Sequence, residues 1–111
     1  MPNRRFRVRW AEAAVRDLEE LVAFSALDSA LAAEGVLRRI EDRAATLVSS
    51  PARGRVVPEL ARFGMRGWRE LVVGPYRLLY RIEADTVTLL AVFDGRRDLA
   101  DVLLERLIRT A

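Results

Sequence analysis

At 111 residues and 51% hydrophobic content, the chain suffices for one domain around one modest core. It carries 19 basic and 16 acidic residues for a net charge of +3, and every basic residue is arginine. The absence of cysteine, histidine and lysine excludes disulfides, zinc thiolates and the usual neutral-pH acid–base groups and nucleophiles. Catalysis would fall to a carboxylate with a raised pKa, an activated tyrosine or arginine electrostatics. No tight Asp/Glu cluster suggests an all-oxygen metal site, so no metal or other cofactor is expected.

Met1–Arg5 leads into alternating residues without a signal-peptide core, and no apolar run reaches the ~18 residues of a membrane span. A cytoplasmic, membrane-free protein and a single domain over 1–111 are expected. Between Arg5 and Trp10 strict alternation predicts a strand with Phe6, Val8 and Trp10 on one face. Its arginine face, Arg5, Arg7 and Arg9, is either solvated or a binding surface.

Ala11–Ala26 has helical period, with Ala14, Val15, Leu18, Leu21, Val22 and Ser25 in one stripe. Leu27-Asp28-Ser29 breaks it, and Asp28 or Ser29 caps a second helix running from about Ala30 to Val48. Gly35, inside that helix, is a candidate for close approach of the first. The two form an antiparallel hairpin. Ser49–Arg55 reads as a turn. Residues 56–66 hold Pro58 and Gly64 and read as one helical turn or a loop, made basic by Arg53, Arg55, Arg62 and Arg66. The loop is either solvated or a contact for phosphate or a partner.

Three strands follow at roughly 68–73, 76–82 and 86–93. Their joints, Gly74-Pro75 and Glu83-Ala84-Asp85, are too short for crossovers, so the strands form an antiparallel meander. On the middle strand Tyr76, Leu78, Tyr80 and Ile82 share one face, and Arg77, Leu79 and Arg81 share the other. With the helical hairpin on one sheet face, the other is expected to be open, with Arg77 and Arg81 on it ~13 Å apart. Those arginines serve a ligand or pair with Glu70 across the hairpin. Arg96 and Arg97 either close the next turn against Asp94 or Asp98 or are functional. Asp98 caps a last helix whose apolar side is Leu99, Val102, Leu103, Leu107 and Ile108. The fold class is α+β: an N-terminal strand, an α-helical hairpin, a three-stranded antiparallel meander and a C-terminal helix, in the order β-α-α-β-β-β-α.

Three blocks carry a family likeness: the hairpin ending in a Ser-Pro turn with Gly54-Arg55, the run Trp68-Arg69-Glu70-Leu71 then Tyr76-Arg77-Leu78-Leu79-Tyr80-Arg81, and Val92-Phe93-Asp94-Gly95-Arg96-Arg97-Asp98-Leu99. In that order and spacing the chain resembles the RelE/ParE family of toxins from type II toxin–antitoxin systems. The resemblance implies an antitoxin partner in a hetero-oligomer, a link to plasmid stabilisation, and one of two activities. RelE-like members cut ribosome-bound mRNA; ParE-like members bind and poison DNA gyrase. Arg77 and Arg96 match or approach the nuclease arginines and Arg69 could replace one of the family's strand lysines, but Glu70 follows Arg69, no lysine is present, and the tail from Leu99 lacks the late tyrosine. The ParE-like activity is therefore the expectation, with the mRNA endonuclease and a non-toxic binding module of the same fold as alternatives. Arg69, Arg77, Arg81, Arg96, Arg97, Leu103 and Leu107 are the candidate antitoxin- or target-binding residues.

Overall fold

The computed structural model describes residues 4–110, and side chains as far as Arg106. Strand β1 (Arg7–Trp10) leads into helices α1 (Glu12–Ala26) and α2 (Ala30–Ala45), and α2 tightens into a 3-10 turn at Thr46–Val48. A two-residue strand β2 (Arg55–Val56) and a single helical turn α3 (Pro58–Ala61) precede the meander β3 (Trp68–Val73), β4 (Tyr76–Glu83) and β5 (Thr86–Asp94). Helix α4 (Leu99–Thr110) follows. The sheet order is β1-β5-β4-β3-β2; β1 runs parallel to β5 and the other pairs are antiparallel. No helix among the described residues is long and apolar enough to cross a membrane.

Local chemistry sets the boundaries. Of the two cap candidates for α2, Ser29 serves: its side chain accepts from the Ala32 N–H at 2.9 Å. Asp98 does the same for α4, accepting from the Ala100 N–H at 2.8 Å. Pro58 opens α3, where its missing N–H costs nothing. Gly74, with φ of 58°, fills the first position of the two-residue β3–β4 turn, and Pro75 follows with its fixed negative φ, the arrangement of a type II′ turn. The β4–β5 turn is less comfortable, since Ala84 is held at φ of 53°.

One sheet face packs on the helical hairpin. Leu18 of α1 and Val36, Ile40 and Ala44 of α2 meet Leu71, Leu78, Tyr80, Val87, Leu89 and Val92. Completely burying a leucine such as Leu78 or Leu89 contributes about 1.5–3 kcal/mol. The β4–β5 register jumps between Leu79↔Ala91 and Tyr80↔Leu89, leaving Leu90 as an extra residue. This bulge inverts the alternation along β5, so Leu89 and Val92 face the same helices while Ala91 and Phe93 face away.

The opposite face is not open as the alternation alone suggested. Leu79, Ala91 and Phe93 form a second core with Val57 and with Leu99 and Val102 of α4, edged by Leu60, Trp68 and Leu103. The stripe of α4 is long enough to lie on this face. Gly35 also departs from expectation: a Cβ there would meet nothing within 4 Å, so it does not mediate close approach of α1.

Candidate functional site

The second face carries the polar feature of the molecule. Alternation along β4 places Arg77 and Arg81 on it, and on β3 it places Glu70, whose side chain is fully enclosed. Glu70 sits diagonally from Arg77, since their register partners are Leu79 and Val72. Its two oxygens accept from Arg77 Nε at 2.5 Å and from Arg55 Nε at 2.6 Å. The two Nη groups of Arg77 donate in parallel to Glu59 at 2.8 and 2.9 Å, the bidentate geometry a planar guanidinium favours. Arg77 also lies 5.3 Å from the Phe93 ring centroid.

Arg55, Glu70, Arg77 and Glu59 thus form an alternating chain with no net charge. That alternation makes the burial of Glu70 tolerable, because an isolated buried carboxylate would cost several kcal/mol. The hydrogen bonds from Arg77 hold the Glu59 carboxyl down at about 2, and Glu59 in turn raises the already high pKa of Arg77. Glu59 carried no signal of this role in the sequence: it lies in a segment without periodicity, and only the docking of α3 brings it to Arg77.

The other candidate residues occupy distinct places. Arg81 stacks on Trp68, 5.4 Å from its centroid, and pairs with exposed Glu83. Arg69 Nη1 donates to the Gly54 carbonyl at 2.8 Å. Tyr80 holds the same loop, donating to the Pro51 carbonyl at 2.7 Å and accepting from the Gly54 N–H at 3.0 Å. Burial pushes the Tyr80 phenol upward, which keeps it protonated as a donor. Gly54 is required here: a Cβ would lie 2.5 Å from both the Glu70 carbonyl oxygen and the Tyr80 hydroxyl.

Arg96 folds back on Asp94 through Nε, Nη2 and its backbone N–H at 3.0, 2.7 and 2.9 Å, and these bonds lower the Asp94 carboxyl to about 2. Arg97 pairs with Glu105 of α4 at 2.6 Å rather than with Asp94 or Asp98. Gly95 of this turn abuts the Arg77 stem, with 3.2 Å between a Cβ built there and Arg77 Cγ. Leu103 is half-buried and lines an apolar recess of 210 Å³ with Trp68, Leu79 and Ala91. The Leu107 side chain lies outside the described residues.

A further tie fixes α4. Arg106 donates to Asp17 of α1 and, at 2.6 Å, to the carbonyl of the bulged Leu90. Asp17 also accepts from the Val92 N–H at 3.0 Å. The pair joins residues 89 positions apart, a separation that no local pattern reports. Among the described residues, no group of three potential metal ligands exists.

Residues 8–99 match the family model described as the ParE toxin of the type II toxin–antitoxin system parDE. The chain belongs to that family. Among solved structures it is similar to the chromosomal ParDE system from P. aeruginosa, with a TM-score of 0.67 and 16% identity over 82% of this chain and 97% of that one. It is also similar to the toxin–antitoxin complex RelBE2 from Mycobacterium tuberculosis, with a TM-score of 0.58 and 27% identity over 81% of this chain and 91% of that one. No curated protein matches it by sequence.

Proposed function

We propose that this toxin-family chain acts in the cytoplasm by binding DNA gyrase and blocking replication, and that a cognate antitoxin neutralises it. The observation that carries the reading is the state of Arg77. A nuclease needs a cation free to meet the developing charge on a phosphate. Here Arg77 is buried and engaged on every side by Glu70 and Glu59, so an incoming phosphate would have to displace two carboxylates and meet their repulsion. On the same strand, the Tyr80 hydroxyl is committed to the Pro51–Gly54 loop. A binding activity needs none of these groups free.

The test uses the purified chain in two assays: supercoiling by purified gyrase, and cleavage of ribosome-bound message in a reconstituted translation reaction. Loss of supercoiling with intact message is the expected result. Intact supercoiling with cut message would replace the reading by the endonuclease. No effect on either, from a folded chain, would leave a binding module without toxicity.

A further inference from the structure

The ion chain Arg55–Glu70–Arg77–Glu59 ends on α3, and what α3 carries is the loop Arg62–Gly67. Six consecutive residues of that loop are exposed. They include Phe63, 77% exposed, and Met65, 44% exposed, between Arg62 and Arg66. Among the described residues, neither arginine's side chain has a hydrogen-bond or acidic partner. This contrasts with Arg55, Arg77, Arg81, Arg96 and Arg97, all of which face carboxylates.

The loop is nonetheless held in shape. The Met65 N–H donates to the Leu60 carbonyl at 3.0 Å and the Gly64 N–H to the Ala61 carbonyl at 2.9 Å, with Gly64 at φ of 80°. This is a Schellman cap, which satisfies the last carbonyls of the helical turn and fixes the direction of the residues beyond it. Below it, Val57 is fully buried and its N–H donates to the Trp68 carbonyl at 3.1 Å, while Glu59 is clamped by Arg77. Two large apolar side chains and two unpaired cations are therefore presented on a braced support.

We infer that the loop Arg62–Gly67 is the surface by which the chain docks on its target, and that the complementary surface is a protein patch with an apolar recess flanked by carboxylates. Aromatic, methionine and arginine side chains are those enriched at protein–protein contacts, and pre-ordering them lowers the entropic cost of association. A single-stranded nucleic acid fits less well. It calls for a continuous basic track with several stacking platforms, and here the loop offers one aromatic ring and two arginines, while Arg55, Arg77, Arg81, Arg96 and Arg97 are paired with carboxylates. The inference rests on the proposed binding function and names the part of the surface that performs it.

The test compares the wild-type chain with Arg62→Glu/Arg66→Glu, with Phe63→Ser/Met65→Ser, and with a control on exposed α2 positions, Arg38→Glu/Arg39→Glu. Each is expressed from an inducible promoter and purified for thermal melting. Both loop variants are expected to melt close to the wild type and to restore colony formation by roughly two orders of magnitude, a loss of hot-spot size. The control is expected to stay toxic. Folded loop variants that kill as well as the wild type would overturn the loop assignment while leaving the toxin reading intact. A wild-type chain that harms no cells would remove both. Binding of labelled oligo-uridine or oligo-thymidine that both loop variants abolish would replace the protein occupant by a nucleic acid.

Discussion

Arg77 changes meaning between the sequence and the fold, and its chemistry makes a direct prediction. As one of the arginines expected on an open face it looks available; in the structure it is an internal member of an ion chain. Arg77→Ala would leave Glu70 buried with only Arg55 beside it, so a loss of about 3 kcal/mol of stability is expected, measured by urea unfolding. Loss of toxicity in that variant therefore reports folding before it reports function. Glu59 makes the second prediction. Its carboxyl titrates at about 2 in the fold against 4.5 for the unperturbed group, so its contribution is complete above the higher value and disappears as pH falls toward the lower. The side chain is 44% exposed, so the effect is modest. The melting temperature of Glu59→Gln should lie below the wild type at about pH 7 and converge with it near about pH 2, where the native carboxyl is half protonated. A gap that stays constant with pH would disprove the assignment.

At the scale of elements, most of the architecture is readable from pattern and turn chemistry. Helical period locates α1, and period with a capping residue locates α2 and α4. Two short joints locate the meander, and alternation assigns the faces of β4 correctly. What escapes has identifiable causes. The Leu90 bulge resets the alternation of β5, and an apolar strand does not reveal an inserted residue. The cover of the second face depends on where α4 lies, which its own sequence does not specify. α3 is a single turn whose stability comes from Val57 and Glu59 meeting distant partners rather than from local propensity. At the candidate site the arginines can be picked out, but their pairing cannot, because Glu59 and Arg77 meet only when a segment without periodicity docks. The glycines test the account of the elements. Gly35→Ala should raise stability by up to about 1 kcal/mol, since the position is helical and unobstructed. Gly54→Ala should destabilise strongly and loosen the Pro51–Gly54 loop, seen as faster amide exchange at Gly54, because the added methyl would collide with the Tyr80 hydroxyl.

Across the whole molecule, α4 is a strap fastened by an apolar stripe and by polar ties at Glu105 and Arg106. Arg106 ties it to Asp17 and to the bulge carbonyl, and Leu99 and Val102 pack it on the sheet. Arg106→Ala should leave Asp17 in a desolvated place without its cation and free the end of α4, so hydrogen exchange there is expected to speed up while the meander keeps its protection. One edge of the sheet is β1, which leaves the ribosome well before its partner β5, 79 residues away along the chain, as Arg9 and Thr88 show. The Phe6 N–H can meet the Val48 carbonyl earlier, but β1 has no strand to pair with until β5 has been made. A sheet built this way keeps its edge strand unpaired until β5 emerges. The interval between the emergence of β1 and its capture by β5 is a delay built into the order of the strands.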